Sequence, residues 1–116
     1  MENRQHVRFP VRFRSSFRSA NTVSGDGTVS DFSIKGCCIS SRVEVKPGTV
    51  LQLWVETTSD ESPVQVAHAV VRWVRAGSFG CEFMHLIPDE WSRLQRVIKA
   101  LELEPYQRGQ EDTDAA

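Results

Sequence analysis

The sequence predicts a mainly β fold, a six-stranded antiparallel β-barrel followed by one C-terminal α-helix. Apolar stretches of strand length recur about six times between turn residues in the first 85 positions. Most of the connections are tight turns, which favours hairpins, and closing such a sheet into a barrel leaves no exposed edge. Only one segment, beginning at Pro88, has apolar residues at helical spacing.

The composition is that of a single soluble domain. The chain has 116 residues, of which 40% are hydrophobic and 25% charged. No apolar run is long enough to cross a bilayer and no signal-peptide core follows the first residues, so we expect a cytoplasmic protein without membrane insertion. The three cysteines form no C-x-x-C pair, and neither they nor the three histidines have the spacing of a zinc module. We therefore expect no disulfide framework, no metal and no cofactor.

The charge is unevenly distributed along the chain. Residues 1–18 contain five arginines and one glutamate, whereas residues 102–116 contain five acidic residues and one arginine. Residues 1–9 have no clear period and precede Pro10, which disfavours a helix, so we predict a flexible arginine-containing segment there. A cationic end on a nearly neutral body favours a small polyanionic ligand over a long nucleic-acid duplex.

Residues 10–103 are predicted to form the barrel and its closing helix. From Val11 to Arg18 apolar residues and Ser15 alternate with arginines and Ser16, which indicates one core face and one solvated face. A polar loop over residues 19–26 precedes the second strand. The predicted strands after the first are residues 28–32, 37–41, 50–57, 64–75 and 79–84. The strand over 64–75 is long enough to require a bulge or bend.

The end of the chain is predicted to be a short helix and a tail. Proline in the first turn and the acidic pair Asp89-Glu90 indicate a helix start, and the helix is expected over about residues 88–101. Its apolar stripe consists of Trp91, Leu94, Val97, Ile98 and Leu101. Residues 104–116 begin with Glu104-Pro105 and are polar and acidic, so we predict a disordered tail.

Two short motifs support a functional hypothesis. Arg4-x-x-x-Arg8 lies at the start of the chain, and Asp31-x-Ser33-x-x-Gly36 lies at the end of a predicted strand. A carboxylate accepts two N–H donors, a hydroxyl donates or accepts one bond, and glycine lets backbone approach a ligand closely. Guanine offers a matching edge with two donors, and its O6/N7 edge fits an arginine fork. The hexapeptide taken alone is also ordinary turn chemistry at a strand end.

The two motifs in this order, around six strands and a late helix, resemble those of the PilZ domain family. The likeness covers roughly residues 3–101 and includes Gly80-Cys81-Glu82-Phe83. It implies a PilZ-type β-barrel that binds the bacterial second messenger cyclic di-GMP and catalyses no reaction. Many family members begin with a doubled arginine, whereas Asn3 precedes Arg4 here, so binding of one nucleotide or of a stacked pair stays open.

The resemblance also implies roles for individual residues. Arg4 and Arg8 would grip the phosphates and the guanine O6/N7 edges, and two further residues, Asp31 and Ser33, would bond a guanine base. Gly36 would keep the wall of the site close to the ligand. Trp73 falls where some members place an aromatic ring against a guanine, and its other interpretation is a tryptophan in the core of the long strand.

The expected function is that of a non-catalytic receptor or adaptor. Nucleotide binding would order the N-terminal segment and change the surface presented to an unidentified effector protein. One alternative is a PilZ-like adaptor that binds proteins and no nucleotide. A second is an oligonucleotide-binding barrel, because cations and aromatics alternate over residues 7–14, but the phenylalanines there are expected to face inward and we predict no nucleic-acid polymer as partner. The third alternative, an enzyme, lacks a nucleophile elbow and metal-ligand spacing.

Overall fold

The fold is a closed β-barrel followed by a single helix. A computed structural model describes residues 7–20, 23–57 and 62–115, with side chains described through Leu103. The elements are β1 (Phe9–Ser19), β2 (Ser24–Phe32), β3 (Gly36–Ser40), β4 (Val50–Glu56), β5 (Val64–Arg75), β6 (Ser78–His85) and α1 (Pro88–Ala115). All neighbouring strands are antiparallel, in the closed order β1-β2-β3-β6-β5-β4. The predicted six-stranded antiparallel barrel with a C-terminal helix is confirmed.

The barrel interior is filled by side chains from alternating strand positions. On β1 the predicted alternation is confirmed, since Phe13 and Phe17 face the core while the arginines between and beside them are exposed. Phe13 packs edge-on against Phe32, with 5.6 Å between ring centroids, and Phe17 packs edge-on against Phe79 at 5.3 Å. Edge-to-face pairs of this kind stabilise a core beyond the area that they bury.

The start of β2 differs from the sequence prediction. Residues 24–27 were predicted to be loop because of the Gly25-Asp26-Gly27 sequence, but they are strand and pair with the end of β1. The glycines are needed for space there. A Cβ at Gly25 would lie 2.4 Å from Val43 Cγ2, and one at Gly27 would lie 2.5 Å from the carbonyl oxygen of Ser40.

The N-terminal strand also begins earlier than predicted. β1 starts at Phe9, and Pro10 pairs with Asp31 just before the register shifts between Pro10 and Phe13. A proline fits a strand next to such an irregularity because it cannot donate a ladder hydrogen bond. Of the segment predicted to be flexible, residues 1–6 lie outside the described residues, and Val7 and Arg8 are exposed and have no regular structure.

The long strand β5 has the predicted irregularity. Its pairing with β6 shifts register between His68 and Ala69 and again between Val71 and Trp73. Each shift changes which residues of the two strands lie side by side. The second shift sets the position of Trp73 on the barrel.

The helix packs by its first half against the start of β5. Glu90 Oε1 accepts a hydrogen bond from the backbone N–H of Gln65 at 2.9 Å, and Arg93 bonds Glu90 and the carbonyl oxygen of Pro63, each at 3.1 Å. Leu94 and Leu101 are buried, as the predicted stripe requires. Trp91, also assigned to that stripe, is 39% exposed.

The helix is longer than the sequence predicted. Its backbone is helical to Ala115, past the expected end near residue 101 and through the segment predicted to be a disordered tail. The predicted end relied on the last apolar residue of the stripe, Leu101, and on the polar composition after it. Pro105 lies within the observed helix, and a proline there removes one backbone donor and costs about 3 kcal/mol, which disfavours a helix without forbidding it. No helix in the described part of the chain is both long and apolar enough to span a membrane.

Candidate functional site

A row of cross-strand partners crosses the outer face of the barrel. Pro10 of β1 pairs with Asp31 of β2, Asp31 with Cys38 of β3, Cys38 with Gly80 of β6, and Gly80 with Trp73 of β5. Directly paired residues point to the same side of a sheet. We call these five residues the Asp31 row. Asp31 and Trp73 are three strand spacings apart, or about 14 Å between their backbones.

Near one end of the row, next to Pro10, Asp31 meets an arginine from the N-terminal segment. The Asp31 side chain is 37% exposed, and its Oδ2 lies 3.6 Å from Arg8 Nη1. The sequence predicted that an arginine of that segment and this acid would share a surface, and the structure brings the two side chains together. An exposed pair at this distance is weak, so either partner can exchange it for a ligand at little cost.

Ser33 lies in the turn that follows, and its hydroxyl is bonded within that turn. The side chain is 3% exposed. The hydroxyl donates to the carbonyl of Gly36 at 3.3 Å and accepts from the N–H groups of Lys35 and Gly36 at 3.1 and 3.2 Å. One donor and two acceptor positions are all that a hydroxyl has. Ser33 therefore holds the turn that ends β2 beside Asp31, and a bond from it to a base would replace one of these three.

Gly36 allows this turn to lie against β6. A Cβ at Gly36 would lie 2.2 Å from the backbone carbonyl oxygen of Cys81, which cannot move aside as a side chain could. The carbonyl of the preceding residue, Lys35, accepts a hydrogen bond from the N–H of Phe83 at 2.7 Å. The resemblance implied that Gly36 keeps the backbone close to a ligand; in the structure Gly36 allows β3 and β6 to lie in close contact.

Trp73, at the other end of the row, lies on the outer face of the barrel and is half-buried. Its indole covers Gly80, where an added Cβ would come within 2.2 Å of Nε1 and 2.3 Å of Cε2. The Arg75 guanidinium lies over the ring, 4.8 Å from its centroid. Trp73 is therefore placed on the same surface as Asp31, and the interpretation as a core tryptophan does not describe it.

The sequence did not identify Cys38, Gly80 or Arg75 as parts of this surface. Cys38 and Gly80 join the row through strand register, and Arg75 joins it through contact with Trp73. The Trp73-x-Arg75 spacing is a readable signal, since residues two apart on a strand share a face. Arg4, the remaining predicted site residue, lies outside the residues that the structure describes.

Beneath the row, the inner face carries two buried thiols, and one of them, that of Cys37, is a poor nucleophile. Cys37 and Cys81 are cross-strand partners and both are buried. The hydrogen bond with Cys81, together with burial, raises the pKa of the Cys37 thiol well above its usual value. A protonated thiol neither attacks a substrate nor binds a metal well. Among the described residues, no group of three or more His, Cys, Asp or Glu side chains could hold a metal ion.

Comparison with known proteins gives one family and several structural relatives. The family model described as PilZ domain matches residues 2–100. A search of curated protein sequences gave no match. The structure is similar to the PilZ domain of YcgR from Escherichia coli with c-di-GMP, with a TM-score of 0.73 and 15% identity over 94% of this chain and 98% of that one.

Two other solved structures extend this comparison. The K. pneumonia MrkH–c-di-GMP complex has a TM-score of 0.73 and 15% identity, covering 93% of this chain and 55% of MrkH. The PilZ domain of CeSA from a cellulose-synthesizing bacterium has a TM-score of 0.66 and 15% identity, covering 83% of this chain and 98% of that domain. At these identities the likeness establishes a common fold.

Proposed function

The chain belongs to the PilZ domain family, and we propose that it is a non-catalytic receptor that binds cyclic di-GMP across the Asp31 row. The observation that carries the proposal is that strand register brings the Arg8–Asp31 pair and Trp73 to one outer surface. The indole covers Gly80, so between Asp31 and the ring the row contains only the small side chain of Cys38, which leaves room for a flat ligand. The family relatives YcgR and MrkH have structures with c-di-GMP, which supports the same ligand here.

Each end of the row suits one part of the nucleotide. The Asp31 carboxylate is an acceptor for the ring N–H and amino group of a guanine, while the Arg8 guanidinium takes a phosphate or an O6/N7 edge. Trp73 offers an indole on which a base stacks. Ser33 and Gly36 keep the turn in place beside Asp31, and they serve the site mainly through that turn.

Arg4 is proposed as a second ligand-binding arginine. Four residues of chain span at most about 14 Å, so Arg4 is within reach of the surface that Arg8 occupies. The free energy gained from two charge-assisted bonds between this segment and the ligand must exceed the entropic cost of ordering the segment, which is on the order of 1–2 kcal/mol per residue. Nucleotide binding would then place the segment before Phe9 over the ligand, and an effector protein would recognise the changed surface.

The direct test is a calorimetric titration with cyclic di-GMP. The wild-type protein is expected to bind, and Arg8→Gln is expected to lose about tenfold or more in affinity because a bidentate arginine contact contributes about 1–3 kcal/mol. Arg96→Gln, which removes an exposed arginine of α1, is the matched control and should bind like the wild type. An Arg8→Gln variant with unchanged affinity would remove the basis for this site.

A second titration tests whether Asp31 reads the base. Cyclic di-AMP has the same phosphates, but adenine lacks the ring N–H and the 2-amino group that a carboxylate would accept from. We expect binding of cyclic di-GMP and at least a hundredfold weaker binding of cyclic di-AMP. If neither nucleotide gives heat with the wild-type protein, the alternative of an adaptor that binds only proteins takes its place.

A further inference from the structure

Arg75 lies at the Trp73 end of the Asp31 row, on the same outer face. It follows Trp73 by two residues on β5, and its guanidinium is 4.8 Å from the centroid of the indole. It pairs with Ser78 across the β5–β6 hairpin, next to a groove of about 520 Å³. A flat cation at this distance occupies the layer in which a base stacked on Trp73 would also lie.

The charge environment distinguishes Arg75 from the neighbouring arginine. Arg72, three residues earlier, is paired with Glu82 at 2.8 Å between Nε and Oε1. Arg75 has no ion pair with any residue that the structure describes, and Glu44 is the one carboxylate among the residues that line the adjacent groove. The Arg75 guanidinium therefore keeps its hydrogen-bond donors available to a ligand.

The shape of the proposed ligand requires a partner at this end. Cyclic di-GMP carries two guanines on one ring of two riboses and two phosphates, and the backbones of Asp31 and Trp73 are about 14 Å apart. Arg8 and Asp31 therefore contact one half of the dinucleotide. The guanine of the other half, stacked on Trp73, has an O6/N7 edge that needs a separate hydrogen-bond donor. That edge takes a planar fork of two donors in the plane of the base.

We propose that Arg75 is a ligand-binding residue that grips the O6/N7 edge of the guanine stacked on Trp73. The proposal rests on the proposed function, because it specifies a further contact in the same site. In the free protein the guanidinium lies on the indole. When a base stacks on the indole, Arg75 moves sideways and pairs with the O6/N7 edge of that base. Each end of the site then has one arginine that contacts the ligand, Arg75 beside Trp73 and Arg8 beside Asp31.

The test is calorimetric titration of cyclic di-GMP into the wild type, Arg75→Gln, Arg75→Lys and Arg18→Gln. Arg18 is the matched control: it lies 5.6 Å from the centroid of Trp54, so its replacement removes one charge and one arginine–tryptophan contact away from the row. We expect Arg75→Gln to bind about tenfold to a hundredfold more weakly. Arg75→Lys should recover little, since an ammonium has no fork, and Arg18→Gln should stay within about twofold.

The outcomes separate this inference from the function on which it rests. If the wild type does not bind, the receptor function itself is wrong. If the wild type binds and Arg75→Gln binds equally, Arg75 is not a ligand contact. Recovery of full affinity by Arg75→Lys would overturn the contact with the base edge, because a lysine charge satisfies a phosphate and cannot replace the fork. A thermal unfolding curve for each variant confirms that the exposed substitution leaves the barrel folded.

Discussion

Gly80→Ala is predicted to displace Trp73 and to weaken nucleotide binding without removing any ligand-binding group. An alanine Cβ at position 80 would lie 2.2 Å from Nε1, 2.3 Å from Cε2 and 2.7 Å from Cζ2 of the indole. Carbon contacts are comfortable at about 3.5–4.0 Å, so the ring must rise by more than about 1 Å. Because the indole lies on the surface and can swing outward, we expect a loss of about 1 kcal/mol in the free energy of unfolding, at the low end of overpacking costs.

The effect on affinity should be larger than the effect on stability. A displaced indole no longer holds a base in the plane of the row, and base–aromatic stacking contributes about 1–3 kcal/mol. The dissociation constant for cyclic di-GMP is therefore expected to rise about 5-fold to 150-fold in calorimetry. Urea denaturation of the same variant gives the stability change.

A double-mutant cycle with Trp73→Ala provides the control. Once the indole is gone, a Cβ at position 80 has room, and alanine in a strand costs less backbone entropy than glycine. Gly80→Ala should then be neutral or stabilising in the Trp73→Ala background. Equal costs in both backgrounds would refute the reasoning, because the predicted penalty comes entirely from the contact with the ring.

Three further predictions concern the turn, the acid and the buried thiol. Asp31→Asn should change the free energy of unfolding by less than about 1 kcal/mol, since the ion pair of Asp31 is exposed. The affinity for cyclic di-GMP, measured by calorimetry, should fall about tenfold or more. Normal affinity would exclude Asp31 as a base contact. Ser33→Ala should lower the free energy of unfolding, measured in urea, by about 1–3 kcal/mol, because two N–H groups of the turn lose their acceptor. Ser30 is exposed, so Ser30→Ala is the control and should leave stability unchanged. Equal effects of the two substitutions would contradict the role of the Ser33 hydroxyl. The raised pKa of Cys37 means that the folded protein keeps a proton that the unfolded chain releases. The contribution of this thiol to the free energy of unfolding is therefore fully present below about pH 8.5 and falls as the pH rises above it, by up to about 1.4 kcal/mol per pH unit. Cys37→Val should lessen that fall between pH 8 and 10 in urea denaturation, and an unchanged pH dependence would assign the effect to other groups.

Much of the fold follows from local patterns in the sequence. The alternation of β1 depends only on the order of its side chains, and burying one face of such a strand excludes other arrangements. The start of the helix follows from Pro88 and the acids after it. The turn at Ser33 was also readable, because a hydroxyl three residues before a glycine closes such turns through its own hydrogen bonds.

Other features depended on contacts that no local pattern contains. The glycines at 25 and 27 predicted a loop, yet they lie in a strand that pairs with β1, where Val43 and Ser40 come too close for a side chain. The last apolar residue of the stripe, Leu101, and the polar composition after it predicted that the helix ends near residue 101, whereas the helical backbone continues past Pro105 to Ala115. In both places a strong local preference was overridden.

The sequence by itself determined which residue types are available to the proposed nucleotide ligand and the face on which each strand of regular alternation presents them. Only the tertiary structure decided that Asp31, Cys38, Gly80 and Trp73 lie side by side, since this row depends on four strands and on the register shift between Val71 and Trp73. A slip of one residue would turn the indole into the barrel interior, because successive side chains of a strand point to opposite faces. Strands that are distant in sequence become neighbours only when the sheet closes. This closure places Asp31 and Trp73, which are more than forty positions apart in the chain, on one surface.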